Sequence, residues 1–238
     1  MLLLRHGQSE WNTVRRWQGT ADPPLTALGR RQARTTADVL VRLGVSFAGV
    51  WASDLQRAEA TASILSRRLG LGPVVTDGRL REAHAGEWEG LTPDEIDRKW
   101  PGYLADHRRP PRFEPFPDVV RRVTDAIRDV IASLDDSPDG AAGTALVVAH
   151  SGVIRSLIRH LGAVDGRIPN MGGVWLGVAE PSPASSATLR LDPGDDRPEL
   201  ILGDVFDPDG VVVSGVDAPG EDPGDQSDDA DADGAEQR

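Results

Sequence analysis

Ala145-Leu146-Val147-Val148-Ala149-His150-Ser151-Gly152 runs from an unbroken apolar stretch into a histidine and two small residues. Five apolar residues in a row suit a strand buried on both faces, as in a parallel sheet. Gly152–Leu161 continues with a helical pattern, so His150 stands at a strand-to-helix junction. The start of the chain has the same order: Leu2–Leu4 is a short apolar strand, and Arg5-His6-Gly7 follows where it ends.

Between these two segments apolar runs alternate with helical patterns, as in an α/β fold with a largely parallel sheet. Thr26 caps a helix to about Leu43, with Leu28, Ala33, Ala37, Leu40 and Val41 as its inward face. Val50–Ala52 reads as a strand, and Ser53 or Asp54 caps the helix that runs on to about Leu69. Thr92-Pro93-Asp94-Glu95 is a capping box with proline at the first helical position. A helix from Pro117 to about Leu134 precedes the quoted strand, and strand-like stretches near Val174–Val178, Thr188–Leu191 and Leu200–Gly203 follow it. His107–Phe116 mixes three prolines with three arginines and reads as a surface loop. The chain divides into one domain, 1–216, and an acidic tail, 217–238, which lacks large apolar side chains and is expected to be disordered.

Composition narrows the function. With 238 residues, 39% hydrophobic and 27% charged, the chain is of ordinary globular type. It has no cysteine, which excludes disulfides and thiolate metal sites. No apolar run approaches the ~20 residues that span a bilayer, and Met1-Leu2-Leu3-Leu4 is too short for a signal-peptide core. A cytoplasmic protein without a membrane partner is expected. Much of the net charge of −12 belongs to the tail, and the mildly acidic body argues against nucleic acid as a partner.

Ligands in open α/β sheets bind beyond the carboxyl ends of strands. His6 and His150 both fall there, Arg5 precedes one of them, and Arg57 lies in the first turn after another strand. A lone strand-end histidine is more often a packing residue. Two histidines and two arginines at such positions point to a shared anion site, helped by the helix N-terminus after His150. Rival chemistries lack their residues. No histidine pair has a short zinc-type spacing on one helix. Ser151 is flanked by Ala149 and Val153 rather than the glycines of a nucleophile elbow. The only lysine, Lys99, is not in a phosphate-binding loop.

The blocks Leu4-Arg5-His6-Gly7-Gln8-Ser9-Glu10-Trp11-Asn12, Leu25 to Ala33, Ser53 to Thr61, Leu80 to Gly90 and His150 follow one another in an order that resembles the histidine phosphatase superfamily, the phosphoglycerate mutase-like enzymes. The resemblance implies a three-layer α/β/α fold with a mostly parallel central sheet. It implies His6 as a nucleophile that becomes phosphohistidine, with Arg5, Arg57 and His150 holding the phosphoryl oxygens. Glu82 would protonate the leaving oxygen and then assist water. Asn12, Gln18 and Gly19 would line the same pocket, with His84 and Ser151 as further substrate contacts. No metal or cofactor is implied, the substrate is a small phosphate ester, and a homodimer is considered. Where the mutase branch has arginine and tyrosine after the acid, Ala83 and Ala85 flank His84 here, which favours hydrolysis. A mutase-type phosphotransferase and a non-catalytic phospho-ligand module are the alternatives. Within the phosphatases, Gln18-Gly19, His84 and Trp88 with Gly90-Leu91-Thr92 look most like those acting on glucosyl-3-phosphoglycerate. Phe113-Glu114-Pro115-Phe116 departs from that pattern, so the loop from Arg108 to Phe116 has two readings: a different lid, or a solvated segment.

Overall fold

In the computed structural model, which describes residues 1–135, 143–179 and 199–208, strand β1 (Leu2–Arg5) is buried along its whole length. The other strands are β2 (Gly49–Ala52), β3 (Val75–Thr76), β4 (Ala145–Ala149), β5 (Gly173–Ala179) and β6 (Glu199–Phe206). They form one sheet in the order β3-β2-β4-β1-β5-β6. The first four in that order run parallel, while β5 is antiparallel to β1 and to β6.

Side chains alternate across this sheet, which divides the core in two. Leu2, Leu4, Leu146 and Val148 pack with α2 (Ala27–Arg42) and α3 (Gln56–Leu69). Leu3, Val147 and Ala149 pack on the opposite face with α5 (Phe116–Asp135) and α6 (Ser151–His160). The result is the expected three-layer sandwich. Two short helices, α1 (Glu10–Thr13) and α4 (Pro93–Lys99), lie outside these layers, and Thr92 and Glu95 close the capping box of α4. Trp17, Trp88 and Ile96 form a third, smaller apolar cluster with Phe113 packed against it. Among the described residues no helix is long and apolar enough to cross a membrane.

Several local expectations are corrected. On α2 the buried face is Gly29, Ala33, Thr36, Ala37 and Leu40, while Leu28 and Val41 are exposed. Helical spacing overrides residue type there, because both lie off the stripe. Neither Ser53 nor Asp54 is the N-cap of α3. Leu55 holds that position, and Asp22 Oδ1 accepts the Gln56 N–H at 2.7 Å from a distant part of the chain. The 107–115 stretch is irregular as expected, and Phe116 already begins α5. Thr188–Leu191 and the 217–238 tail lie outside the described residues.

Candidate active site

The register of three neighbouring parallel strands assembles the site. Arg5 pairs with Ala149, and Ala52 pairs with Val148, so β1, β4 and β2 end side by side. One residue beyond the first pair stand His6 and His150, with ring centroids 5.1 Å apart. The His6 N–H still donates to Ala149 O at 3.1 Å, which carries the ladder one residue past the end of β1.

His6 is buried, and its Nδ1 lies 2.7 Å from Gly7 O. A carbonyl only accepts, so Nδ1 carries the hydrogen and Nε2 keeps its lone pair. Arg57 Nε donates to that Nε2 at 3.3 Å, which agrees with this tautomer. Burial, then the charges of Arg57 and Arg5, push the His6 pKa well below its ordinary 6.5. Arg57 is fixed by two further bonds, to Ala21 O at 2.7 Å and Gly19 O at 2.9 Å. Burial pulls its pKa down to about 10, so it remains a cation at neutral pH. Neither ring nitrogen of the buried His150 has a hydrogen-bond partner among the described residues. Such a group costs free energy unless a ligand supplies the partner.

Around these lie the other expected contacts. Arg5 donates to Ile168 O at 2.7 Å. Asn12 Oδ1 accepts from the Ser9 N–H at 2.9 Å, which leaves its buried Nδ2 unbonded among the described residues. Gln18 Oε1 accepts from Ser9 Oγ at 2.8 Å. Gly19 has φ of +50°, and a Cβ there would run into Ala85 and the Glu89 carboxylate, so glycine is required for the backbone that receives Arg57.

Glu82 is buried and lines a cleft of about 570 Å³. Its carboxylate accepts from Gly152 N at 3.0 Å and Ala83 N at 2.8 Å. Ser151 lines the same cleft, and the wall opposite α6 includes Arg109, Pro110, Phe113 and Phe116. The loop from Arg108 thus serves as a wall of the cleft through Arg109, Pro110, Phe113 and Phe116, while Arg108, Arg109 and Arg112 are exposed to solvent. His84 is not part of it. That side chain is exposed, with Nδ1 accepting from Gly86 N at 2.9 Å and Nε2 lying 3.9 Å from Glu89. Its Nδ1 also lies 3.1 Å from Arg112 O, so the ring sits between its own loop and the 107–115 stretch.

Four positioning residues escape sequence reasoning. Asn170 Nδ2 donates to His6 O at 3.0 Å. Thr61 Oγ1 accepts from Gly7 N at 3.1 Å and donates to Arg57 O at 2.7 Å. Asp22 caps α3. Arg122 donates to the carbonyls of Arg79, Arg81 and Glu82 while paired with Glu114. None shows a local pattern, since each acts on a backbone or helix end remote in sequence. Among the described residues no three His, Cys, Asp or Glu side chains are grouped to hold a metal ion.

The sequence pattern of the histidine phosphatase superfamily (branch 1) matches residues 1–172. A glucosyl-3-phosphoglycerate phosphatase from Mycolicibacterium vanbaalenii is 36% identical over 212 residues, 81% of this chain and 92% of the relative. A 2,3-bisphosphoglycerate-dependent phosphoglycerate mutase from Corynebacterium glutamicum is 32% identical over 194 residues, 69% of this chain and 77% of the relative. A solved mycobacterial glucosyl-3-phosphoglycerate phosphatase in complex with VO3 superposes with a TM-score of 0.68 at 30% identity, covering 85% of this chain and 96% of the other.

Proposed function

Because the chain belongs to the histidine phosphatase superfamily and is a phosphatase, we propose that it hydrolyses its ester in two displacements at His6. In the first, the Nε2 lone pair attacks phosphorus, the P–O ester bond breaks, and Glu82 gives its proton to the departing alkoxide. In the second, water attacks the phosphohistidine, Glu82 takes the proton from that water, and the P–N bond breaks to return His6. Arg5, Arg57, His150 and the Asn12 amide hold the three non-bridging oxygens, with Gln18 and Gly19 shaping the same pocket. They stabilise charge already in place, and electrostatic positioning of this kind dominates phosphoryl transfer.

One observation carries the reading. The bond from His6 to Gly7 O leaves the Nε2 lone pair facing the Arg57 guanidinium, beside a His150 ring 5.1 Å away that has no hydrogen-bond partner among the described residues. Hydrolysis is preferred to mutase action because Ala83 and Ala85 flank His84 after the acid. The substrate proposed is glucosyl-3-phosphoglycerate or a related phosphorylated metabolite, by analogy with the relatives. A homodimer and a cytoplasmic address belong to the same proposal, to be checked by sedimentation and fractionation.

Rapid quench should trap an acid-labile, base-stable phosphoryl adduct that is absent from His6→Ala, with circular dichroism unchanged. An acid-stable adduct, or one that persists in His6→Ala, would sink the assignment. Excess EDTA should leave phosphate release unaltered.

A further inference from the structure

The backbone turn that receives Arg57 is held from another side by a carboxylate. Gln18-Gly19-Thr20-Ala21 closes on itself, with the Ala21 N–H donating to Gln18 O at 2.9 Å. Arg57 straddles this turn, since Nη2 donates to Gly19 O at 2.9 Å and Nη1 to Ala21 O at 2.7 Å. A four-residue turn pairs the N–H of its last residue and leaves those of its two central residues without a partner inside it. Thr20 is one of these two, and it stands between the carbonyls that hold the guanidinium.

Glu89 Oε1 accepts from the Thr20 N–H at 2.6 Å and from Thr20 Oγ1 at 2.9 Å. The reach is short because the backbones on either side are already tied. The Trp17 N–H donates to Leu91 O at 2.9 Å, and the Gly90 N–H to Trp17 O at 2.8 Å. His84 Nε2 is a more distant neighbour of the same carboxylate, at 3.9 Å. Hydrogen bonds to a carboxylate are roughly twice as strong as neutral ones, so two of them on one residue fix the middle of the turn. Burial dominates the lowering of the Arg57 pKa, and the charge of Glu89 is among those that oppose it.

We propose that Glu89 is a positioning residue for Arg57: through Thr20 it fixes the Gly19 and Ala21 carbonyls, and through them the guanidinium that meets the phosphoryl group. The proposal rests on the phosphatase reading above. In this role Glu89 neither holds the ester nor moves its proton.

The test is kcat/KM on an alkyl phosphate and on p-nitrophenyl phosphate for Glu89→Ala, Glu89→Gln, Arg57→Ala, and Glu89→Ala combined with Arg57→Ala. Glu89→Ala should lose about tenfold to a hundredfold on both esters alike, the scale on which a small misplacement slows catalysis. Glu89→Gln keeps an oxygen acceptor for Thr20 and should recover most of that loss. Added to Arg57→Ala, Glu89→Ala should cost less than about threefold, because no guanidinium is left to misplace and the two effects do not add. Should Glu89→Ala fail to fold by circular dichroism, Thr20→Val removes the hydroxyl bond alone and should give a smaller loss, again equal on both esters. A loss confined to the alkyl ester would assign Glu89 to proton transfer and overturn the proposal. So would a full further loss in the Arg57→Ala background, or Glu89→Gln as slow as Glu89→Ala. A lowered melting temperature with unaltered kcat/KM would leave Glu89 as a brace of the fold only. If the wild type releases no phosphate even from p-nitrophenyl phosphate, the phosphatase reading has failed, and this role for Glu89 falls with it.

Discussion

A histidine attacks phosphorus only through an unprotonated nitrogen, and at His6 the backbone decides which nitrogen that is. Gly7 O holds the Nδ1 hydrogen, and burial, then the charges of Arg57 and Arg5, oppose any second proton. In the proposed mechanism Glu82 has the complementary task of moving a proton. Glu82→Gln preserves size and hydrogen bonding but cannot cycle that proton. Adduct formation from an alkyl phosphate should slow by ~10²–10⁴, and that from p-nitrophenyl phosphate by much less, because p-nitrophenolate leaves unaided. Single-turnover rates on both esters decide the matter. Equal losses would remove Glu82 from the role of acid. Arg57→Ala should slow both esters alike, since phosphoryl charge is present whatever the leaving group.

Elements, rather than single residues, set where Glu82 points. The first turn of α6 supplies the Gly152 N–H to its carboxylate, and a Cβ at Gly152 would lie 2.5 Å from Glu82 Oε1. Gly152→Ala should therefore copy the leaving-group signature of Glu82→Gln while keeping the N–H donor. Activity equal to wild type on alkyl esters would show that the carboxylate relocates freely. From α5, Arg122 ties down the backbone on which Glu82 rides. Arg122→Leu removes the donor to three carbonyls and the partner of Glu114. It should cost at least ~1.5–3 kcal/mol in denaturant titration and lower kcat on alkyl esters more than on p-nitrophenyl phosphate. A loss of stability with an unchanged ratio of the two rates would make Arg122 a structural residue only.

For the whole molecule, the anion pocket is costly to keep empty. His6 and His150 are both held well below their ordinary 6.5, first by burial and then by Arg57. Below pH 6.5 the unfolded chain takes up protons that the native chain refuses. Stability should then fall as pH drops through the window under 6.5, and these two groups should contribute no slope above it. Urea titrations between pH 5 and 8 measure this, and His150→Asn should flatten the slope by about one proton's worth. A slope unaffected by that substitution would place the titration elsewhere. Inorganic phosphate bound in the proposed anion pocket should stabilise the protein by about 2.7 kcal/mol at a hundredfold excess over its Kd.

The signals that betray this site in the sequence are local ones. An apolar run that ends in Arg5-His6-Gly7 or His150-Ser151-Gly152 announces both a buried strand and a polar group at its tip, within a few residues. Thr92 and Glu95 declare the start of α4 in the same way, because capping is complete within one turn. What the chain could not disclose by itself is long-range. That β4 lies between β1 and β2, and so puts His150 beside His6, depends on pairing across more than a hundred residues. Asp22, Thr61, Arg122 and Asn170 act through single hydrogen bonds or clusters of them to remote backbone, which leave no period in the sequence. Leu28 and Val41 look like core by type and are exposed by geometry, while His84 sits in a family motif yet is an exposed side chain that does not line the cleft. Local preference writes the elements and the reactive tips, and only packing decides which faces are covered and which side chains meet.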